Sequence, residues 1–326
     1  MNCAAASLLV LGIAASAAAP AAQNPGAMPA PPVPSVAEQP EPDGPRFAIA
    51  TTRDRAGRIL APVEINGRGP FRFILDTGAN RSAMSAATAE AAGLVLEESA
   101  MASVHGITGS AVLPLVEVQS FRAGDLALEQ QRMPVLPAAV FGGADGILGV
   151  DSLQHARVEV DFERDLVTIR RSTGRRASPE YFVLPARVHH GGLLLMNGRI
   201  GGVKVKAILD TGAERSLGNE VLRKKLIPAE RRRDDGTTTT VIGATPQLVE
   251  GTSYEAPMIT IGGARLTKLT VTFGDLHVFK VWELLDEPAL LLGMDLLGTV
   301  PNFAVDYPRH EFQFKTRVST RPSSRR

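Results

Sequence analysis

Cysteine is almost absent from this 326-residue sequence, with Cys3 standing alone near the start. A chain so poor in thiols has no disulfide framework and no Cys-based metal site. Without its first residues it has no thiol nucleophile either. Aromatic residues make up only 5%, so a core must rely on Val, Leu, Ile and Ala. Charge of one sign is missing too. Lys and Arg number 35 against 34 Asp and Glu, a formal net charge of +1. With no dense basic stripe, nothing points to nucleic acid. After the N-terminus there is no long apolar run that would read as a membrane span.

What is present starts with an apolar stretch from Ala4 to Ala19. It is short and Ala-rich, and small residues follow it. Ala19-Pro20-Ala21, or alternatively Ser16-Ala17-Ala18, fits a cleavage site, so residues 1–22 are expected to be a signal peptide. This implies a periplasmic or secreted protein, or a membrane-anchored one if the segment is not cleaved. No Lys or Arg precedes the run. Cys3 lies before the run rather than after it, which argues against a lipid-modified cysteine at the cleavage point. Residues 23–46 are rich in Pro and Ala, with Gln and Glu among them, show no apolar periodicity and read as an extended spacer. Residues 316–326 form a basic polar tail.

The rest of the chain repeats itself. Ile74-Leu75-Asp76-Thr77-Gly78-Ala79 recurs as Ile208-Leu209-Asp210-Thr211-Gly212-Ala213. Upstream, Ile65-Asn66-Gly67 corresponds to Ile200-Gly201-Gly202, each a turn between two strand-like runs. Downstream, Val104–Gly109 matches Val241–Pro246, and Ile147-Leu148-Gly149-Val150-Asp151 matches Leu291-Leu292-Gly293-Met294-Asp295. Val160-Asp161-Phe162 then matches Val305-Asp306-Tyr307. Blocks in the same order define two lobes, 47–171 and 181–315, with a polar linker at 172–180. Short β-rich runs punctuated by Gly and Pro make both mainly β. One short helix is expected after each repeat motif. Ser85 would cap Ala86–Ala92 and Asn219 would cap Glu220–Leu226, with Gly93 and Pro228 as stops. The charged run from Arg231 to Gly236 reads as a solvated loop.

Each Asp-Thr-Gly follows a hydrophobic strand, which would carry the Asp to a tight turn. Gly78 and Gly212 would allow close backbone approach there, and Thr77 and Thr211 would supply hydroxyls that reach the other copy. Two carboxyls brought face to face cannot both ionise, so they share a proton. One oxygen can then take a proton from water while the other donates to a carbonyl, which hydrolyses a peptide bond without metal or thiol. One such tripeptide is weak evidence; two, each with a later hydrophobic-hydrophobic-Gly block, are specific.

The pattern resembles the retropepsin-like branch of the aspartic peptidases, including exported bacterial members. The resemblance covers both halves and implies two small β-barrel lobes with Asp76 and Asp210 as the catalytic dyad. Thr77, Gly78, Thr211 and Gly212 would form the supporting turns. Ile147, Leu148 and Gly149, with Leu291, Leu292 and Gly293, would buttress the acids. Val104, His105, Gly106 and Ile107, with Val241, Ile242, Gly243 and Ala244, would be flap tips over the substrate. The expected activity is that of an aspartic endopeptidase acting on protein or peptide substrates. No cofactor or metal is implied, and the two lobes of one monomer would pair. The family often works as dimers of single lobes, a departure that the duplication explains. Neither flap carries the Tyr usual in pepsin-like enzymes. A catalytically silent peptide-binding module on the same fold is the alternative.

Other residues read as structural. Asp151 and Asp295 are expected to be helix caps or lobe-stabilising acids, and Asp161 and Asp306 strand residues. Trp282 should pack in a core. His189-His190 should form a turn with rings on opposite faces, a poor metal site. His105 has Ile242 as its counterpart, which argues against a catalytic role.

Overall fold

A computed structural model describes residues 8–10, 48–50, 52–228, 236–261, 264–267 and 269–315. The expected cleavage sites, the spacer at 23–46, Arg231–Asp235 of the charged loop and the tail at 316–326 lie outside these residues. Within the expected signal segment, Leu8–Val10 form a short strand parallel to Val241–Gly243.

The fold is mainly β, and the two halves repeat one strand order. In the first half the order runs Ile59–Ile65, Arg68–Leu75, Gly146–Leu148, Ala83–Ser85, Leu126–Leu136, Ser110–Ala123 and Glu97–His105. The second half places Leu193–Ile200, Val203–Leu209, Ala289–Leu292, Leu217–Gly218, Thr270–Phe273, Leu248–Glu255 and Thr237–Gly243 in the same succession. The duplication read from sequence is therefore also a duplication of topology. Each half opens on a hairpin whose turn needs left-handed backbone. Asn66 and Gly67 have φ of 51° and 73°, and Gly201 and Gly202 have 51° and 85°, the conformation that matches the twist of the flanking strands.

A third sheet joins the halves. Ala156–Asp161 of the first half pairs antiparallel with Asn302–Asp306 of the second, from Arg157 opposite Asp306 to Asp161 opposite Asn302. Val158 and Val160 of the first strand are fully buried and alternate with half-buried residues, while Asn302–Asp306 is buried along its whole length. One continuous apolar cluster extends through both halves. The linker is pinned to this sheet where the Ser172 hydroxyl donates to Asp306 (2.8 Å) and Arg309 donates to the Gly174 carbonyl (2.9 Å).

The two expected helices form at Ala86–Ala91 and Glu220–Leu226, the first one residue shorter than its pattern suggested. Their caps are those expected. Ser85 Oγ accepts from the Thr88 amide at 3.1 Å, and Asn219 Oδ1 accepts from the Leu222 amide at 2.9 Å. Trp282 is buried, with the edge of its ring system against Phe279. Among the described residues no helix is long and apolar enough to cross a membrane.

Candidate active site

Asp76 and Asp210 each follow the buried end of a hydrophobic strand, Ile74-Leu75 and Ile208-Leu209. Both are fully buried, so each carboxylate oxygen needs a partner. The turn supplies one side of each. Asp76 Oδ1 accepts from the amides of Gly78 (2.9 Å) and Ala79 (3.0 Å), and Asp210 Oδ1 from those of Gly212 (2.9 Å) and Ala213 (3.0 Å). The outer oxygen, Oδ2, has no such partner in either residue.

The two acids face one another. A methyl group added at Gly78 would fall on the carboxyl of Asp210, and one added at Gly212 on that of Asp76. Each glycine is thus required by the other half's acid. The threonines lock this approach. Thr77 Oγ1 donates to the Leu209 carbonyl (2.9 Å) and accepts from the Thr211 amide (3.1 Å). Thr211 Oγ1 donates to the Leu75 carbonyl (2.6 Å) and accepts from the Thr77 amide (3.1 Å). Four buried hydrogen bonds cross the pseudo-twofold axis within two turns of chain.

The buttresses act on the same backbone. Gly146–Leu148 runs parallel to the end of the first lead-in strand, and the Leu148 carbonyl accepts from the Asp76 amide at 3.0 Å. Leu292 does the same for Asp210 at 3.0 Å. Gly149 and Gly293 lie against backbone, where an added Cβ would sit 2.5 Å from the carbonyl carbons of Arg81 and Arg215.

Electrostatics follow from burial. Desolvation pushes Asp76 up to about 7, against the lowering effect of the Gly78 and Ala79 amides, of Asp210 and of the nearby Arg58 guanidinium. Asp210 is raised too, first by burial and then by the negative charge of Asp76. Two such acids facing one another cannot both ionise, so the pair holds one proton between them.

The two segments expected to be flap tips meet one another. The tip of the first closes with the Gly106 amide donating to the Gly109 carbonyl (2.8 Å), and Thr108 Oγ1 meets Thr245 Oγ1 of the second at 3.1 Å. Val104 and Ala244 share an apolar cluster with Ala79, next to the first turn, and Ile147. Gly106, Ile107, Val241 and Gly243 are buried as well, while His105 and Ile242 are half-buried.

Two serines were not singled out in the sequence. Ser82 Oγ accepts from the Gly149 amide (3.0 Å) and donates to Asp151 (2.8 Å). Ser216 Oγ does the same between Gly293 (3.1 Å) and Asp295 (2.8 Å). The signal was available, because both repeat motifs continue to Arg-Ser at equal spacing, Arg81-Ser82 and Arg215-Ser216. Asp151 and Asp295 stabilise their lobes through these serines. They are not helix caps, since Gly149 and Gly293 hold the capping positions. The rings of His189 and His190 do not diverge as an extended pair would. His190 has φ of 30°, and the ring centroids are 6.3 Å apart.

Residues 61–152 and 196–296 both match the model of a family described as aspartyl protease. The chain belongs to the retropepsin-like aspartyl protease family. The two matched stretches are the two halves of the duplication, each with its own Asp-Thr-Gly turn and buttress. No curated protein matches the chain. Family membership supports a peptidase-type hydrolase fold in general terms, and the two intact turns show that neither copy has lost the family's motif.

Proposed function

We propose that this chain is an aspartic endopeptidase in which Asp76 and Asp210 activate one water molecule between them. The observation that carries this reading is the pair of buried carboxyls that face one another, each with its inner oxygen fixed by turn amides. One proton is shared by the resting pair, and the reaction runs from the form with Asp76 ionised, the member on which Arg58 acts as a lowering charge. Asp76 takes a proton from the water as its oxygen bonds to the scissile carbonyl carbon. Asp210 gives its proton to the carbonyl oxygen, leaving a neutral gem-diol. Collapse of the gem-diol breaks the C–N bond, the proton on Asp76 passes to the departing nitrogen, and a diol proton returns to Asp210. The flaps exclude bulk water and hold the chain extended.

The Ala-rich N-terminal run supports export, and we place the activity in the periplasm or outside the cell, on unfolded or flexible polypeptides.

Cleavage of an unfolded polypeptide across pH tests this. Activity requires one proton on the pair, so it should persist to near-neutral pH and fall as that proton is lost, because burial raises both acids. Turnover in ¹⁸O-water should place one label in the new carboxylate. Absence of turnover at every pH tested, or activity that keeps climbing with pH and never falls on the alkaline side, contradicts the reading.

A further inference from the structure

We propose that a pair of imidazoles, His105 on the first flap and His277 on the second half, latches that flap over the cleft, and that protonation releases it. The proposal rests on the cleft assignment above and concerns its regulation.

The first flap does not hang free. Besides the meeting of Thr108 and Thr245, Gln247 Nε2 donates to the Ser110 carbonyl at 3.2 Å. On its other side the tip reaches the helix His277–Val281, where the Val278 amide donates to the Ile107 carbonyl at 3.3 Å. Ile107 is fully buried there. Beside this contact, His105 Nδ1 lies 3.4 Å from His277 Nε2, and the rings stack at 5.6 Å with 25° between planes. The other nitrogen of His105, Nε2, lies 3.4 Å from Ser103 Oγ.

A hydrogen bond between two imidazoles needs one neutral ring to accept. Two imidazolium rings at that separation repel, and their surroundings add to the repulsion. Lys280 on the same helix acts on His277 as a like charge, and His105 acts on His190, which sits beside His189. Glu283 alone among these neighbours opposes the trend, and it is exposed. Four of the chain's six histidines therefore gather where one flap meets the opposite half.

Burial, then the His105 charge, holds His277 below its ordinary value. His190 is lowered by burial and then by His189. The closed flap thus binds these protons more weakly than an open flap would. Closure is favoured above the ordinary imidazole range, near pH 6.5, and is progressively lost as pH falls through it. The counterpart of His105 in the second flap is Ile242, so only one flap is sensitive in this way.

Hydrogen exchange over residues 103–110 of the full chain, corrected for intrinsic rates, tests the latch at pH 7.5 and 5.5. Protection should fall on the order of threefold to tenfold at the lower pH, the scale on which one linked proton acts. Residues 146–148 should remain protected. His277→Gln keeps a hydrogen-bonding group without titration and should sharply reduce the pH effect, while His277→Lys should leave the flap open at both values. Equal protection of the native flap at both pH values overturns the latch. So does an unchanged pH effect in His277→Gln, or matching loss at residues 146–148. The readout needs no turnover, so a latch that works in an inactive protein would count against the peptidase reading alone.

Discussion

At the scale of single residues, the site depends on groups that have no use outside this arrangement. Thr211 shows how. Its hydroxyl serves the Leu75 carbonyl and the Thr77 amide, both belonging to the other half and both buried. Thr211→Val preserves shape but strands those two groups, and each unsatisfied buried group costs about 1–3 kcal/mol. The variant should lose roughly 2–5 kcal/mol in urea unfolding, with activity reduced further because the halves no longer hold the acids in register. A loss below about 0.5 kcal/mol would mean that the crossing bonds contribute nothing net.

Elements came through the sequence unevenly, for a physical reason. The two helices were legible because capping is local: Ser85 and Asn219 act on amides three residues away. The buttresses were legible through repetition and the lead-in strands through hydrophobicity. What pattern could not reveal was contact between elements distant in sequence, such as His105 against His277 or Thr108 against Thr245. No periodicity encodes those, since each partner satisfies its own local rules. The serine bridges are a different case, being repeated and local in the fold yet unremarkable as residue types. Both buttresses end on a glycine pressed against backbone, and this predicts a strong effect. Gly293→Ala should clash with Arg215 and destabilise the chain by about 2–4 kcal/mol, measured by thermal or urea melting. Activity should fall as Asp210 shifts. Wild-type stability in Gly293→Ala would show that the loop behind Asp210 yields freely.

At the scale of the whole molecule, duplication explains both the economy of the site and its vulnerability. Each half supplies one buried acid, one threonine that crosses to the other half and one strand hydrogen-bonded behind its acid, so the proposed site needs both halves. The joining sheet, from Arg157 opposite Asp306 to Asp161 opposite Asn302, and the continuous core make the halves one body within a single chain. The halves also differ: the Arg58 charge lowers Asp76, and histidine occurs in the first of the two candidate flap segments only. Two acids acting as one unit also have a kinetic signature. Turnover of an unfolded polypeptide should be compared among the native chain, Asp76→Asn, Asp210→Asn and the double variant, all shown to be folded. Each single variant should lose at least about a thousandfold, and the double variant should be little worse than either single one. A single variant that keeps more than about a tenth of native turnover, or losses that simply multiply in the double variant, would contradict the shared-water site.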